Sequence, residues 1–306
     1  AGEHSVLLFG PQGSGKTSLL SSLESLIVPQ QILFDRDEYE RLFGEKIYWR
    51  PFVQPHHSIP KMSMLGGGRS LWPGELVRAH GGILYLDEFL EFDSEVREAL
   101  REPIEQGCYR LAREGKQKMF KCEFLLLAST NLCPCGRFLP DNSLRCRCGT
   151  RRRQDYLLKM MGPILDRFAI ITSSSSWLSD KPSAVLNQKF SEGESERSSV
   201  GQVERSPLAL SEVQERVLKA VKFKTERRGL VPNSRADLAV IEKTTTGFLL
   251  NQLRENTRLS QRRYQASLRV ARTLADLDGA EKVEVKHIQT ALQYTVQSYL
   301  ELEGCT

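Results

Sequence analysis

No stretch of this chain comes near the roughly eighteen uninterrupted apolar residues of a helical membrane span. The N-terminus also lacks the basic-then-apolar pattern of a secretory leader, so a soluble, cytoplasmic protein is expected, with no membrane partner. Charge of one sign is never concentrated in a long block. The 43 Lys and Arg are interspersed with 38 Asp and Glu, and the net charge of +5 permits an anionic partner without demanding one. No internal repeat is evident, which sets repeat architectures aside. Cysteine is sparse, 7 in 306 residues, and disulfides are not expected in a reducing compartment. An initiating Met is also missing. Ala1 stands only a few residues before an apolar run, so the expectation is a piece of something longer, with a domain before it.

What is present is an ordinary globular composition, 40% hydrophobic and 26% charged, in a chain long enough for one large domain and a smaller one. Val6–Phe9 is a short apolar run that ends at Gly10, and a helical pattern follows from Lys16 to about Leu26. Ile83–Leu86 and Phe124–Ala128 are further runs of the kind found in a parallel sheet covered on both faces. Residues 93–106 read as one helix, capped by Asp93 or Ser94 and stopped by Gly107. Cys108–Arg113 and Gln117–Lys121, joined through Glu114-Gly115-Lys116, read as a hairpin. The predicted fold class is α/β: residues 1–172 form a phosphate-loop domain, its parallel sheet flanked by helices. Residues 173–206, rich in Ser, Glu, Gln and Lys, read as a linker, and 207–306 as a helical unit with helices at about 207–226, 234–243, 244–256, 260–277 and 284–301.

The chemistry begins at Gly10-Pro11-Gln12-Gly13-Ser14-Gly15-Lys16-Thr17, which fits G-x-x-x-x-G-K-[ST] in full between a strand and a helix. Backbone N–H groups can surround phosphate oxygens only where side chains do not intrude, and the glycines leave that room. Lys16 is placed for the β and γ phosphates and the Thr17 hydroxyl for Mg²⁺. Gly10, Gln12, Gly13, Ser14, Gly15, Lys16, Thr17 and Ser18 are therefore the predicted ATP-binding residues. Asp87 and Glu88 end a buried strand; Asp87 would share the Mg²⁺ and Glu88 would polarise the attacking water. Asn131, after the next strand, would lie beside the γ-phosphate at the carboxyl edge of the sheet.

Four of the cysteines fall as Cys133-Pro134-Cys135 and Cys146-Arg147-Cys148, a set that suits structural Zn²⁺ or stays as free thiols. His56 and His57 are expected as hydrogen-bonded loop residues, with metal ligation as the alternative. Arginines gather at 145, 147, 151, 152 and 153, and again at 254, 258, 262, 263, 269 and 272, as solvated faces or phosphate contacts.

The order of these motifs, continued by Gly162–Phe168 and Leu259–Arg262, resembles AAA+ ATPases of the magnesium-chelatase and minichromosome-maintenance branch. More narrowly, it is similar to the ComM/YifB family of Mg-chelatase-like ATPases, which includes a competence helicase. Arg50-Pro51-Phe52-Val53-Gln54-Pro55-His56-His57, Leu65–Gly68, Pro73–Glu75, Ala79–Phe89, Asn131–Gly136 and Arg269–Leu277 carry that likeness. The resemblance implies that Asn131 senses the γ-phosphate, that Arg167 is an arginine finger for a neighbour's site, and that Arg262 is a second sensor on a helical lid. For Arg167 a structural ion pair is the alternative, and for Arg262 the adjacent Arg263 leaves the register open. It also implies a homo-oligomer, a hexameric ring, in which residues 59–75, with Arg69 and Trp72, and the 108–121 hairpin, with Arg113, Lys116 and Lys118, point into a central pore. DNA is then the expected partner, by translocation, helicase or branch-migration activity. The rival expectation is a chelatase-type or chaperone-like remodeller of a partner protein, and a third a nucleotide-bound scaffold of little turnover. The chain departs from the family pattern in having Gln12 and Leu132 where Pro is usual; the family's protease-like N-terminal domain, expected to bind a further protein, is not among these 306 residues.

Overall fold

Consecutive apolar residues suit a strand buried on both faces, because successive side chains point to opposite sides. β1 (Val6–Phe9) shows the result: Leu7 and Phe9 join one buried cluster, and Leu8 joins another on the far face. The computed structural model describes residues 2–26, 36–44, 50–139, 146–160, 164–174, 210–229, 231–254 and 260–303. The other strands are β2 (Phe52–Val53), β3 (Gly66–Gly67), β4 (Trp72–Pro73), β5 (Ile83–Leu86), β6 (Cys108–Arg113), β7 (Lys116–Lys121), β8 (Leu125–Thr130) and β9 (Ile170–Ser173).

Five of them form a wholly parallel sheet in the order β2-β5-β8-β1-β9. After β1 the chain runs out to the β2 edge, returns through β5 and β8, and crosses to the other side of β1 as β9. The loops that follow β1, β5 and β8 therefore lie side by side at the carboxyl edge, where open α/β sheets take ligands. Register brings the ends of β1 and β8 level, with Phe9 opposite Thr130, while Leu86 lies opposite Ala128, so that Asp87 falls beside Ser129.

The helix Lys16–Ser22 covers one face through Leu20, which packs with Leu8, Ile83, Tyr85 and Leu127. Met64, Leu76, Val96, Leu100, Tyr156 and Leu157, from helices between residues 61 and 158, cover the other. Each such leucine, once buried, contributes about 1.5–3 kcal/mol.

Residues 93–106, expected as one helix, form two, Ser94–Ala99 and Arg101–Gln106. Pro103 has no N–H to offer the Ala99 carbonyl and crowds it, so the ladder breaks there. The ends are as expected: Asp93 accepts from the Glu95 N–H at 3.2 Å, and Gly107 turns the chain out at φ 65°. β6 and β7 pair from Cys108↔Lys121 to Arg113↔Lys116, the expected hairpin. Glu114 and Gly115 both take positive φ, as a two-residue turn between twisted strands prefers.

The C-terminal region is helical, in Leu210–Arg228, Leu238–Glu242, Gly247–Arg254, Gln261–Leu277, Val285–Leu292 and Ser298–Glu303, the last two joined by a π-turn. Leu268, Ala271, Ala275, Ile288, Leu292 and Val296 form a second core around Gln261–Leu277. Among the described residues no helix is long and apolar enough to cross a membrane. The expected linker from residue 175 onward, the helix start at Ser206-Pro207, Gly162, Leu259, Arg145, Arg258 and Cys305 lie outside the described residues.

Candidate nucleotide site, arginine edge and thiol cluster

A phosphate cradle needs a turn with open space over its backbone. Gly13 and Gly15 both sit at φ 79° with nothing within 4 Å of where a Cβ would stand. Gly10 meets a different demand, since a Cβ there would lie 1.9 Å from the Ser174 hydroxyl. Ser174 in turn bonds the Ser14 hydroxyl at 2.7 Å, which ties the loop to the end of β9. Gln12 is exposed, and Ser18 is exposed beside Thr17 in the first helical turn.

Lys16 reaches back across the loop: its Nζ donates to the Gly10 and Pro11 carbonyls at 3.1 and 2.7 Å and to Asn131 Oδ1 at 3.1 Å. Burial holds its pKa below the usual lysine value, and the Asp87 and Glu88 carboxylates pull it back up. Thr17 Oγ1 donates to Asp87 Oδ2 at 3.0 Å. The other Asp87 oxygen accepts from the Ser129 hydroxyl and, at 3.2 Å, from the Glu88 N–H. Those bonds, with a further one from the Glu88 N–H to Ser129 Oγ at 3.3 Å, hold Glu88 in the left-handed region at φ 53°. Its carboxylate stays half-exposed, 3.6 Å from His57 Nδ1. An ammonium, a hydroxyl, two carboxylates and an amide thus converge on one glycine turn. That donor set suits a nucleoside triphosphate with a hard cation such as Mg²⁺, which takes oxygen ligands of the kind Thr17 and Asp87 offer.

The two predicted arginines are elsewhere. Arg167 lies just before β9, where the Ser5 hydroxyl, just before β1, donates to its carbonyl at 2.7 Å. This is the amino edge of the sheet, about 13 Å of strand from the phosphate loop. Arg167 is 8% exposed and pairs with Glu105 at 2.9 Å rather than with Asp166. Burial lowers its pKa, and Glu105 opposes that shift. Arg262 is 51% exposed and pairs with the same carboxylate. The structure separates it from Arg263, which is buried and donates to the Leu165 and Phe168 carbonyls at 2.9 Å each and to Thr295 O at 3.1 Å. Arg263 thereby anchors the C-terminal helices to the Arg167 turn, while Arg262 faces a cavity of about 360 Å³ that Arg167, Arg235 and Arg269 also line.

Cys133, Cys135, Cys146 and Cys148 come together, every Sγ within 4.8 Å of the others, and those described are free thiols. Three of the separations are 3.3, 3.7 and 3.6 Å. Four sulfurs at about 2.3 Å around a tetrahedral ion would be about 3.8 Å apart, so the set can hold a metal ion. His56 does not join it; its Nδ1 bonds the Ser58 hydroxyl at 2.8 Å, as a loop histidine.

Both expected insertions are exposed and basic at their tips. Trp72 is 65% exposed beside Arg69, and Arg113, Lys116 and Lys118 lie on the exposed hairpin. The Tyr109 hydroxyl donates to the Leu65 carbonyl, which joins the two insertions.

Sequence reasoning missed Ser129, Ser174, His57 and Glu105 as parts of these sites. Only Ser129 had a signal, since a strand level with β5 must place some side chain against Asp87.

Comparison with known proteins agrees in extent with this architecture. Residues 1–179 match the family described as magnesium chelatase, subunit ChlI, and residues 209–295 match its C-terminal family. The uncharacterized protein YifB of Escherichia coli is 33% identical over 306 residues, covering 96% of this chain and 56% of that protein. YifB of Salmonella typhimurium is 33% identical over 305 residues, with the same shares. The competence protein ComM of Haemophilus influenzae is 31% identical over 306 residues, again 96% and 56%. The chain thus spans about half the length of these relatives.

Proposed function

This chain belongs to the magnesium chelatase subunit ChlI family of AAA+ ATPases, and from that premise we propose that it is the motor part of an ATP-hydrolysing ring that moves along DNA. The observation that carries the proposal is the division of the site. Lys16, Thr17, Asp87, Glu88 and Asn131 share one edge of the sheet, and Arg167 and Arg262 share the other.

In this reading Lys16 and the loop N–H groups hold the β and γ phosphates, and Asn131 meets the γ-phosphate through the position that Lys16 now fills. Thr17 and Asp87 would hold Mg²⁺, which would supply charge neutralisation at the phosphate oxygens. Glu88 orients the attacking water and accepts its proton. Arg167, out of reach of its own loop, stabilises the transferring phosphoryl group of the next subunit, with Arg262 beside it. Hydrolysis then depends on assembly, for which a hexamer is the proposed form. The thiol cluster is proposed to hold structural Zn²⁺, because four thiolates leave no open coordination position.

DNA is supported by the exposed Arg113, Lys116 and Lys118 on one insertion and by Arg69 and Trp72 on the other, since basic tips with an aromatic suit a phosphate backbone and stacked bases. ATPase turnover of the assembled protein should rise with DNA, and less so when Lys116 and Lys118 are neutralised or salt is raised. An assembled ring that binds no DNA at low salt would refute this. The description of the matched family favours a second reading, remodelling of a partner protein, for which turnover would ignore DNA and respond to that partner.

A further inference from the structure

The phosphate loop rests against the turn that carries the first two cysteines. The Cys133 carbonyl accepts the Gly136 N–H at 3.0 Å, and the Gly136 carbonyl accepts the Gln12 N–H at 2.8 Å. The contact leaves no slack: Gly136 sits at φ 68°, and a Cβ there would lie 2.8 Å from Gln12 Cβ. Two residues before Cys133, Asn131 Oδ1 accepts from Lys16. One short segment therefore holds two of the four thiols, a backbone bond to the loop, and the amide that meets the loop's lysine. Cys133 is fully buried in the main core, with Leu132 and Phe138 beside it, so movement of its sulfur must be shared by this segment. A proline at position 12 would have no N–H to donate to the Gly136 carbonyl.

We propose that the metal ion held by Cys133, Cys135, Cys146 and Cys148 is a positioning element of the nucleotide site: it fixes the turn at residues 133–136 and, through the Gln12–Gly136 bond and Asn131, sets the phosphate loop for binding. The inference rests on the zinc reading of the thiols. Binding is then coupled in both directions, since a metal that tightens nucleotide binding must itself be held tighter, by the same factor, when nucleotide is present.

The test uses the whole chain and two equilibrium measurements. Zinc affinity is measured by competition with a chromophoric chelator, with and without saturating Mg-ADP, and ADP affinity by calorimetry on zinc-loaded and zinc-stripped protein. In the unchanged protein ADP should raise zinc affinity about tenfold, and zinc should raise ADP affinity equally, on the scale typical of linked sites. In Gln12→Pro, which retains the thiols but loses the donor, one zinc should still bind and the mutual effect should shrink to about twofold or less. At the competition midpoint half of the sites are empty, so circular dichroism recorded alongside separates metal release from unfolding of the stripped chain. Zinc uptake that is indifferent to ADP, or a coupling that Gln12→Pro leaves intact, overturns the proposal alone. Failure of the unchanged protein to take up zinc overturns the metal reading and the proposal with it.

Discussion

The two edges of the sheet present opposite electrostatic problems. At the carboxyl edge, Lys16 is ringed by carbonyls, an amide and the carboxylates of Asp87 and Glu88, a site with its cation and its acids in place for phosphates. At the amino edge, Arg167, Arg262, Arg235 and Arg269 line a cavity together with Glu3, Glu105, Glu123 and Asp166, of which Glu3 pairs with Arg50 and Asp166 with Arg263. A single carboxylate, Glu105, answers two guanidinium groups there. The first edge carries groups that suit a triphosphate, while the second sets its arginines against carboxylates of its own chain. Under the proposed function the neighbour's triphosphate would take the two arginines over from Glu105, which keeps both presented until it arrives.

The most severe way to break this comparison is Arg167→Ala. Loss of a finger arginine should lower kcat by about 10³–10⁵-fold, with little change in each chain's own nucleotide affinity. Normal turnover would show that the two edges do not meet between subunits. Glu88→Gln should cost about 10²–10⁴-fold in kcat while ATP still binds, as expected when a general base is removed but the phosphate contacts stay. Mixing these two inactive variants sharpens the comparison, because activity should return only if an intact arginine of one chain can face an intact glutamate of another.

Smaller effects probe what holds the amino edge. Asp276 is 2% exposed, pairs with Arg272 at 3.0 Å and accepts from Asn233 at 2.7 Å, and so fixes the far end of the helix that starts beside Arg262. Asp276→Ala would leave Arg272 buried with no carboxylate, only the Ala280 and Glu281 carbonyls, and should cost about 3–5 kcal/mol in denaturant unfolding. His4 bonds the Thr273 hydroxyl of the same helix at 2.7 Å, and burial lowers its pKa from 6.5 to about 3. Between those values the unfolded chain binds the proton and the folded chain does not, so stability should fall as pH drops from about 7 toward 4. The slope approaches about 1.4 kcal/mol per pH unit, and His4→Gln should flatten it in urea midpoints taken across that range.

Much of this was legible beforehand for physical reasons. The phosphate loop, the Asp87-Glu88 strand end and the 108–121 hairpin are local: a glycine turn, a run of four apolar residues and a two-residue turn each specify themselves over a few positions. The single helix expected over 93–106 was wrong because Pro103 was given too little weight against an apolar period. Glu105 carried no signal, since an exposed-looking glutamate on a helix gains its meaning only from Arg167 and Arg262, which lie 62 and 157 positions further along the chain. The choice between Arg262 and Arg263 was open for the same reason.

By itself, then, the sequence determined that residues 10–17 make a glycine turn between a strand and a helix, that Asp87 and Glu88 follow a buried strand, and that four thiols come in two pairs, because spacing along the chain dictates each. Only the tertiary structure decided what these face. Parallel register set Asp87 against Ser129, the crossing to β9 put Arg167 at the opposite edge from its own loop, and packing of the Cys133 turn joined Gly136 to Gln12. Such pairings link residues far apart in the chain, and they are settled by which surfaces must be buried together.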